Sequence, residues 1–286
     1  MPETTAAKPA SAESPTDKLV RFQQPEKTLR YLGELPDDRL AELFGLAPET
    51  YRKLLRDLDD QTRETAAELL RDPVFAERAD RLPFRPGQRI VALGESTTAD
   101  RLSWFSILRH LLPDGVELVN LAVSGSTTTQ ALAQLPQLAF LRPDWILCML
   151  GANDVQRLGR STEAAGTRLV SEAETARNLL ALRDLAGRGL PGRDRWIWLT
   201  PSSVDQERAD AYPHFRRAGI GWTGEDVDTV AGFLLDRPEV TVDTRPATVG
   251  LHLDDGIHLT LDGQRAVTVA LVDTLARRAD AEATAS

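Results

Sequence analysis

The sequence predicts a three-layer α/β/α sandwich with a five-stranded parallel sheet, preceded by a small helical N-terminal segment. The first observation is a series of short apolar runs, each closed by Gly, Ser, Thr or Pro and each followed by a helical stretch. The second is that these runs are apolar throughout, as in parallel strands that helices cover on both faces. Strands that alternate with helices favour an α/β architecture. The runs are 90–93, 116–123, 145–150, 196–199 and 240–242.

The rest of the chain divides around this repeat. Residues 1–18 contain almost no large apolar side chain, so they bury too little surface to offset the entropy of ordering, and we expect a disordered arm. Residues 19–88 form a helical extension, because apolar side chains recur at helical spacing between 36 and 79. Residues 89–279 form the α/β domain, and residues 280–286 form a short tail.

Charge and composition exclude several classes of protein. The 286 residues include 34 Lys and Arg against 43 Asp and Glu, and the net charge of −9 opposes nucleic acid or anionic membrane as a partner. The longest uncharged apolar stretch, 145–152, is far shorter than the roughly 20 residues of a membrane-spanning helix. The N-terminus lacks an apolar signal region, and the single Cys148 excludes an intramolecular disulfide. We therefore expect a cytoplasmic protein.

The residues after the first three runs are candidates for chemistry, because ligands of α/β sheets bind beyond the carboxyl ends of the strands. Ser96 follows the first run at a strand-to-helix junction, where free N–H groups can stabilise an anion. Gly125 follows the second run in a turn that lets backbone approach a ligand. Asn153 follows the third run and can donate to an oxyanion. Each position also has a plain explanation as a helix cap or a turn residue.

One of the four histidines has a carboxylate at a suitable spacing. Asp255 precedes His258 by three residues, so its carboxylate can reach the ring and fix the tautomer. Asp254 is a rival orienter, four residues before the same histidine. His110 lies among apolar residues of a predicted helix, His214 follows a proline in an irregular segment, and His252 lacks a carboxylate at that upstream spacing. This leaves His258 as the candidate base.

These motifs together resemble the four blocks of the SGNH, or GDSL-type, serine esterase and lipase superfamily. The blocks are Gly94-Glu95-Ser96, Gly125, Gly151-Ala152-Asn153-Asp154 and Asp255-Gly256-Ile257-His258. The resemblance implies a flavodoxin-like sheet of order 2-1-3-4-5 and a catalytic triad of Ser96, His258 and Asp255. It also implies an oxyanion hole made by the backbone N–H groups of Ser96 and Gly125 and the side-chain amide of Asn153. Glu95 departs from the family, which usually has Asp at this position.

The resemblance implies an esterase or deacylase that forms an acyl-enzyme on Ser96 from a small-molecule ester. Such chemistry requires no cofactor, and one Cys with four scattered His offers no ligand pair at zinc spacing. An acyltransferase could use the same residues, with an alcohol or amine in place of water. A hydrolase fold that has lost activity and serves as a binding protein is a further alternative.

The N-terminal helices leave another alternative open. Residues 40–55 resemble a helix-turn-helix, in which Arg52, Lys53 and Arg56 could face phosphates. Residues 36–71 nevertheless contain nine acidic and six basic side chains, whereas a DNA-binding module should be basic. We expect these helices to cover the α/β domain, or to form a contact in a homo-oligomer.

Overall fold

The computed structural model of the chain describes residues 14–28, 35–159 and 166–285. The strands are β1 (Arg89–Gly94), β2 (Glu117–Asn120), β3 (Trp145–Met149), β4 (Arg157–Leu158), β5 (Thr167–Arg168), β6 (Trp196–Leu199), β7 (Ile220–Gly221) and β8 (Val240–Val242). The helices before β1 are α1 (Pro15–Phe22), α2 (Pro25–Thr28), α3 (Asp37–Leu43), α4 (Pro48–Leu70) and α5 (Pro73–Asp80). Those between β1 and β6 are α6 (Ser96–Ala99), α7 (Trp104–Arg109), α8 (Thr128–Ala131), α9 (Leu135–Leu141) and α10 (Glu172–Gly187). The remaining helices are α11 (Gln206–Ala211), α12 (Pro213–Ala218), α13 (Gly224–Leu235), α14 (Arg245–Thr248) and α15 (Leu261–Ala285).

The main sheet confirms the five predicted strands. Its order is β2-β1-β3-β6-β8, and every neighbouring pair is parallel. In the register of the central strands, Val91 of β1 lies between Val119 and Ile146. This is the order 2-1-3-4-5 that the resemblance implies.

The sheet separates two hydrophobic cores. Ile90 and Ala92 of β1 pack into one core, together with helices α4, α5, α7 and α15. Val91 and Leu93 pack into the other, with α10 and α13. Because alternate side chains of one strand enter opposite cores, the strand must be apolar at every position. The absence of alternation in the sequence has this cause.

Both predicted chain ends need correction. Helix α1 begins at Pro15, inside the segment for which the composition predicts a disordered arm, while residues 1–13 of that arm lie outside the described residues. Ser14 and Asp17 form a reciprocal capping box at its start, and Val20 and Arg21 are buried. At the other end, α15 continues to Ala285, through the predicted tail. The tail is rich in alanine, which has the highest helix propensity, so it extends the preceding helix.

The sequence also predicts a helix from about residue 100 to 112, after the turn at Ser96, and the structure corrects this prediction. Two short helices, α6 and α7, replace it, and Asp100 between them has φ −48° and ψ 131°, outside the helical region. The side chain of Asp100 accepts hydrogen bonds from Leu102 N and from the buried Arg21. Ser103 then caps the second helix. Long-range contacts of Asp100 therefore interrupt a segment that is helical by local pattern.

The N-terminal helices α3 and α4 pack around Leu40, Ala41 and Tyr51. The guanidinium of Arg52 lies within ion-pair distance of Asp37, Asp38 and Glu49. These acidic neighbours reduce the positive potential that a phosphate-binding face would need. That no nucleic acid binds here stays a prediction.

A second, three-stranded antiparallel sheet, of order β5-β4-β7, has no counterpart in the sequence prediction. Each of its strands has two residues, too short for a periodic signal. Asp226 holds it together by accepting hydrogen bonds from Arg157 and Arg168. Across the described part of the chain, no helix has the length and apolarity needed to cross a lipid bilayer.

Candidate active site

A cleft of about 550 Å³ lies at the carboxyl edge of the main sheet. The predicted site residues Ser96, Gly125, Asn153, Asp255 and His258 all line it. They come from three strand exits and from the loop before α15, which are far apart in the sequence. The structure therefore brings together the complete predicted set.

Ser96 is the first residue of α6 and follows the buried strand β1 by two positions. The residue is largely buried but reaches the cleft. Its carbonyl accepts a hydrogen bond from Asp100 N at 2.8 Å, which closes the short helix. This strand-turn-helix geometry fixes the position of the serine by backbone contacts on both sides.

The turn between Asp255 and His258 orients the imidazole ring. Asp255 Oδ1 accepts hydrogen bonds from Ile257 N at 3.0 Å and His258 N at 2.8 Å, while its Oδ2 lies 2.8 Å from His258 Nδ1. Gly256 has φ +71°, and a Cβ there would lie 2.3 Å from Asp205 O, so the turn requires glycine. Asp254, the rival orienter, is exposed to solvent.

The environment of Asp255 favours its charged form. Burial raises the pKa of this carboxyl, but the hydrogen bond from His258 and the two backbone N–H groups outweigh burial, and the pKa lies below its ordinary value. An ionised Asp255 accepts a hydrogen bond from the protonated Nδ1 of His258. The other ring nitrogen, Nε2, is then the atom that can receive a proton.

The amide of Asn153 is held by two acceptors. Its Nδ2 lies 3.1 Å from Glu95 Oε2 and 3.1 Å from Ser126 O. Its backbone N–H also donates to Glu95 Oε2, at 3.2 Å. Gly125, which follows β2, has φ +79° and open space where a Cβ would lie. Asn153 can reach a ligand in the cleft only by exchanging one acceptor.

The contacts of Glu95 show how the chain accommodates a glutamate where the family usually has Asp. The side chain is 2% exposed and crosses from the exit of β1 to the turn after β3. There it accepts hydrogen bonds from the backbone of Ala152 and Asn153 as well as from the Asn153 amide. Burial, together with the nearby Asp154, raises the pKa of Glu95 to about 8, against the lowering effect of these donors. The longer side chain thus ties two of the strand exits together.

Asp154 fixes the same turn from the other side. Its carboxylate accepts hydrogen bonds from Thr128 N at 2.9 Å and from Thr175 Oγ1 at 3.1 Å, which connects the turn to helices α8 and α10. Burial raises its pKa, although these donors lower it. Its side chain is buried, so it contributes to the shape of the site from beneath the cleft.

The other histidines occupy different environments. His110 Nε2 lies 3.3 Å from Thr62 Oγ1, in the contact between α7 and α4. His252 is buried, and its Nε2 lies 2.7 Å from the carbonyl oxygen of Ser203. His214 lines the cleft on helix α12.

Sequence reasoning missed two walls of the cleft. One comes from α1, whose Phe22 ring lies 4.6 Å from the ring of His258. The other contains Phe215 and Trp222, from the region between β6 and α13. Residues 15, 18, 19 and 22 have the i, i+3, i+4, i+7 spacing of one helical face, a signal that could have identified α1. The sequence holds no comparable signal for where that face packs.

The fold and its cleft define the class of α/β proteins known as SGNH hydrolases. The sequence model of the GDSL-like lipase/acylhydrolase family matches residues 92–266, more than half of the chain. The chain belongs to this family and is an ester-hydrolysing enzyme. No curated protein matches the chain.

Solved structures resemble the chain at low sequence identity. A lipase/acylhydrolase from Enterococcus faecalis is 20% identical, and the match covers 67% of this chain and 96% of that one, with a TM-score of 0.49. A carbohydrate acetylesterase from Sinorhizobium meliloti is 16% identical over 67% of this chain and 99% of that one, also with a TM-score of 0.49.

Proposed function

We propose that the protein hydrolyses carboxylic esters of small molecules through an acyl-enzyme on Ser96. The observation that carries this proposal is the 2.8 Å contact between Asp255 Oδ2 and His258 Nδ1, in the cleft that Ser96 also lines. The pairing gives His258 the tautomer that a general base needs. The family to which the chain belongs supports the ester bond as the target. A cytoplasmic location stays a prediction from the sequence.

In the first half of the reaction, Ser96 Oγ attacks the ester carbonyl carbon while His258 Nε2 accepts the hydroxyl proton. Asp255 stabilises the resulting imidazolium. The carbonyl π bond breaks and its electron pair moves to oxygen, giving a tetrahedral intermediate. When this collapses, the bond to the leaving oxygen breaks, and His258 Nε2 donates the proton to the departing alkoxide. The products of this half are an alcohol and an acyl group bound to Ser96.

In the second half, a water molecule attacks the acyl carbon and His258 accepts one of its protons. Collapse of the second intermediate breaks the bond to Ser96 Oγ, which takes the proton back from His258. The carboxylic acid is released and the enzyme returns to its starting state.

The proposed donors to the intermediate's oxyanion are the backbone N–H groups of Ser96 and Gly125 and the amide of Asn153. Asn153 would exchange Ser126 O for the oxyanion, because a neutral carbonyl is a weaker acceptor than an oxyanion. Its second hydrogen bond, to Glu95, would keep the amide in place during the exchange. The hydrogen bond from Asn153 to the oxyanion would therefore stabilise the transition state more than the bound ester.

A fluorophosphonate probe, which forms a covalent bond with activated serines, tests the nucleophile. We expect one label per chain, located on Ser96 by peptide mass spectrometry. The Ser96→Ala variant should bind no label and lose about 10⁴–10⁶-fold in kcat. Ser124→Ala is the matched control, because Ser124 lines the same cleft, and this variant should still be labelled. Labelling that survives in Ser96→Ala would refute the proposal.

A further inference from the structure

We propose that helix α1, which lies outside the matched family segment, is the substrate-selecting wall of the cleft and selects esters that carry a hydrocarbon group of several carbons. This inference rests on the proposed esterase function. Four α1 residues line the cleft, and their spacing places them on one face of the helix: Pro15, Lys18, Leu19 and Phe22. The ring centroid of Phe22 lies 4.6 Å from that of His258, and Leu19, which is 52% exposed, lines the same cleft.

Helix α1 is anchored to the elements that carry the catalytic residues. Arg21, which does not line the cleft, donates to both oxygens of Asp100 at 2.8 and 2.7 Å, and to Leu259 O at 3.0 Å. Asp100 ends the helix of the nucleophile, and Leu259 directly follows His258. Arg21 and Asp100 are both buried. The wall is therefore fixed relative to Ser96 and His258.

Backbone contacts repeat this anchoring on either side of the ion pair. Arg101 N donates to Arg21 O at 3.2 Å, and Arg101 Nε donates to Val20 O at 2.9 Å. The hydroxyl of Ser124 donates to Phe22 O, next to Gly125 of the proposed oxyanion hole. Because these contacts hold a helix of only eight residues, the side chains that α1 turns toward the cleft keep a fixed position.

A second wall of the cleft is aromatic and is also held by contacts to its neighbours. The ring centroids of Phe215 and Trp222 lie 4.9 Å apart, and those of Tyr212 and Phe215 are separated by the same distance. Trp222 Nε1 donates to Ala152 O at 2.8 Å, which ties this wall to the turn of Asn153. A substrate group that contacts Leu19 and these rings would leave water for an apolar surface. Such a site favours a hydrocarbon chain over a short polar group.

Two ester series test the proposal and show which part of the ester occupies the wall. One series lengthens the acyl group, from p-nitrophenyl acetate through butyrate and hexanoate. The other lengthens the alcohol, from ethyl through butyl to hexyl acetate, with acetate release as the readout. In one of them, kcat/KM should rise about fourfold for each added methylene that is buried. The series that rises identifies the group that contacts α1.

The variants then connect this preference with α1. Leu19→Ser should reduce the ratio of kcat/KM for the six-carbon ester to that for the two-carbon ester by about tenfold. Leu19→Trp narrows the cleft and should move the optimum to shorter chains. Leu43→Ser is the matched control, because Leu43 is also exposed, at 57%, but belongs to α3 and does not line the cleft. Its ratio should equal that of the parent.

Two results would overturn the inference while leaving the proposed function intact. One is hydrolysis that depends on Ser96 but does not increase with chain length in either series. The other is a length preference that Leu19→Ser and Leu19→Trp leave unchanged. Failure of the proposed function looks different, since hydrolysis would then persist in Ser96→Ala or be absent for every ester in the parent.

Discussion

The carboxyl edge of the sheet and helix α1 face the same cleft, but they differ in chemistry and in how they are held. The edge contributes a hydroxyl, an imidazole, carboxylates and an amide, which are placed by short turns such as Asp255 to His258. Helix α1 contributes mainly apolar surface. It is held by hydrogen bonds from Arg21 to Asp100 and Leu259, which lie 79 and 238 positions further along the sequence. The difference indicates that rate and selectivity are separable here. Changes at the edge should alter kcat, and changes in α1 should alter folding or substrate choice.

The largest expected effect lies at the edge. Asp255→Asn should lower kcat by about 10⁴-fold, because the amide no longer stabilises the imidazolium and can hold the wrong tautomer. Asp254→Asn is the matched control one residue earlier, with an exposed side chain, and should behave like the parent. Steady-state kinetics with one p-nitrophenyl ester measures both. If the large loss appeared in Asp254→Asn instead, Asp254 and not Asp255 would be the residue that orients His258.

The next largest effect concerns helix α1 and should appear as a lower free energy of unfolding. Arg21→Met leaves the buried Asp100 without its partner, which costs about 3–5 kcal/mol. Urea unfolding measures this loss, and the double variant with Asp100→Asn should recover part of it. Arg39→Met removes an exposed ion pair with Glu42 and should change little. Equal stability of the two arginine variants would show that α1 is not held by the buried pair.

A smaller effect at the edge concerns the transition state. Asn153→Ala should lower kcat by about 10²–10³-fold with little change in KM, since the amide is proposed to meet a charge that the ground-state ester lacks. Asn120→Ala offers a control, because Asn120 also donates its side-chain amide to a backbone carbonyl, that of Thr98, but does not line the cleft. A rise in KM at constant kcat would instead make Asn153 a residue of substrate binding.

The last expected effect is a change in the dependence of stability on pH. Burial raises the pKa of Glu95 from 4.5 to about 8, so between these values the native state binds more protons than the unfolded state. Stability then falls as pH rises through this window, by at most about 1.4 kcal/mol per pH unit from this group. Glu95→Gln should flatten that fall, whereas Glu64→Gln, at an exposed position, should not. Parallel curves for parent and Glu95→Gln would contradict the raised pKa.

The same comparison explains which features the sequence predicts. Strands buried on both faces are apolar at every position, so β1, β3 and β6 are visible as runs, and their exits mark the site. The turn from Asp255 to His258 spans three residues and can be inferred locally. The break at Asp100, the start of α1 at Pro15 and the contact of Phe22 with His258 depend on distant partners. The two acceptors of Asn153 are likewise set by the packing of neighbouring strand exits.

The two hydrophobic cores also show that the unit which folds is larger than the segment shared with the family. The family match begins at residue 92, in the middle of β1, and ends at residue 266, near the start of α15. Ile90 and Val91 lie before that segment, and Leu271 and Leu275 lie after it, yet all four are core residues. A fragment of residues 92–266 alone would lack the first half of β1 and most of α15. We expect this fragment to aggregate, because the face of its sheet that α4, α5 and α15 cover in the whole chain would expose apolar side chains to water.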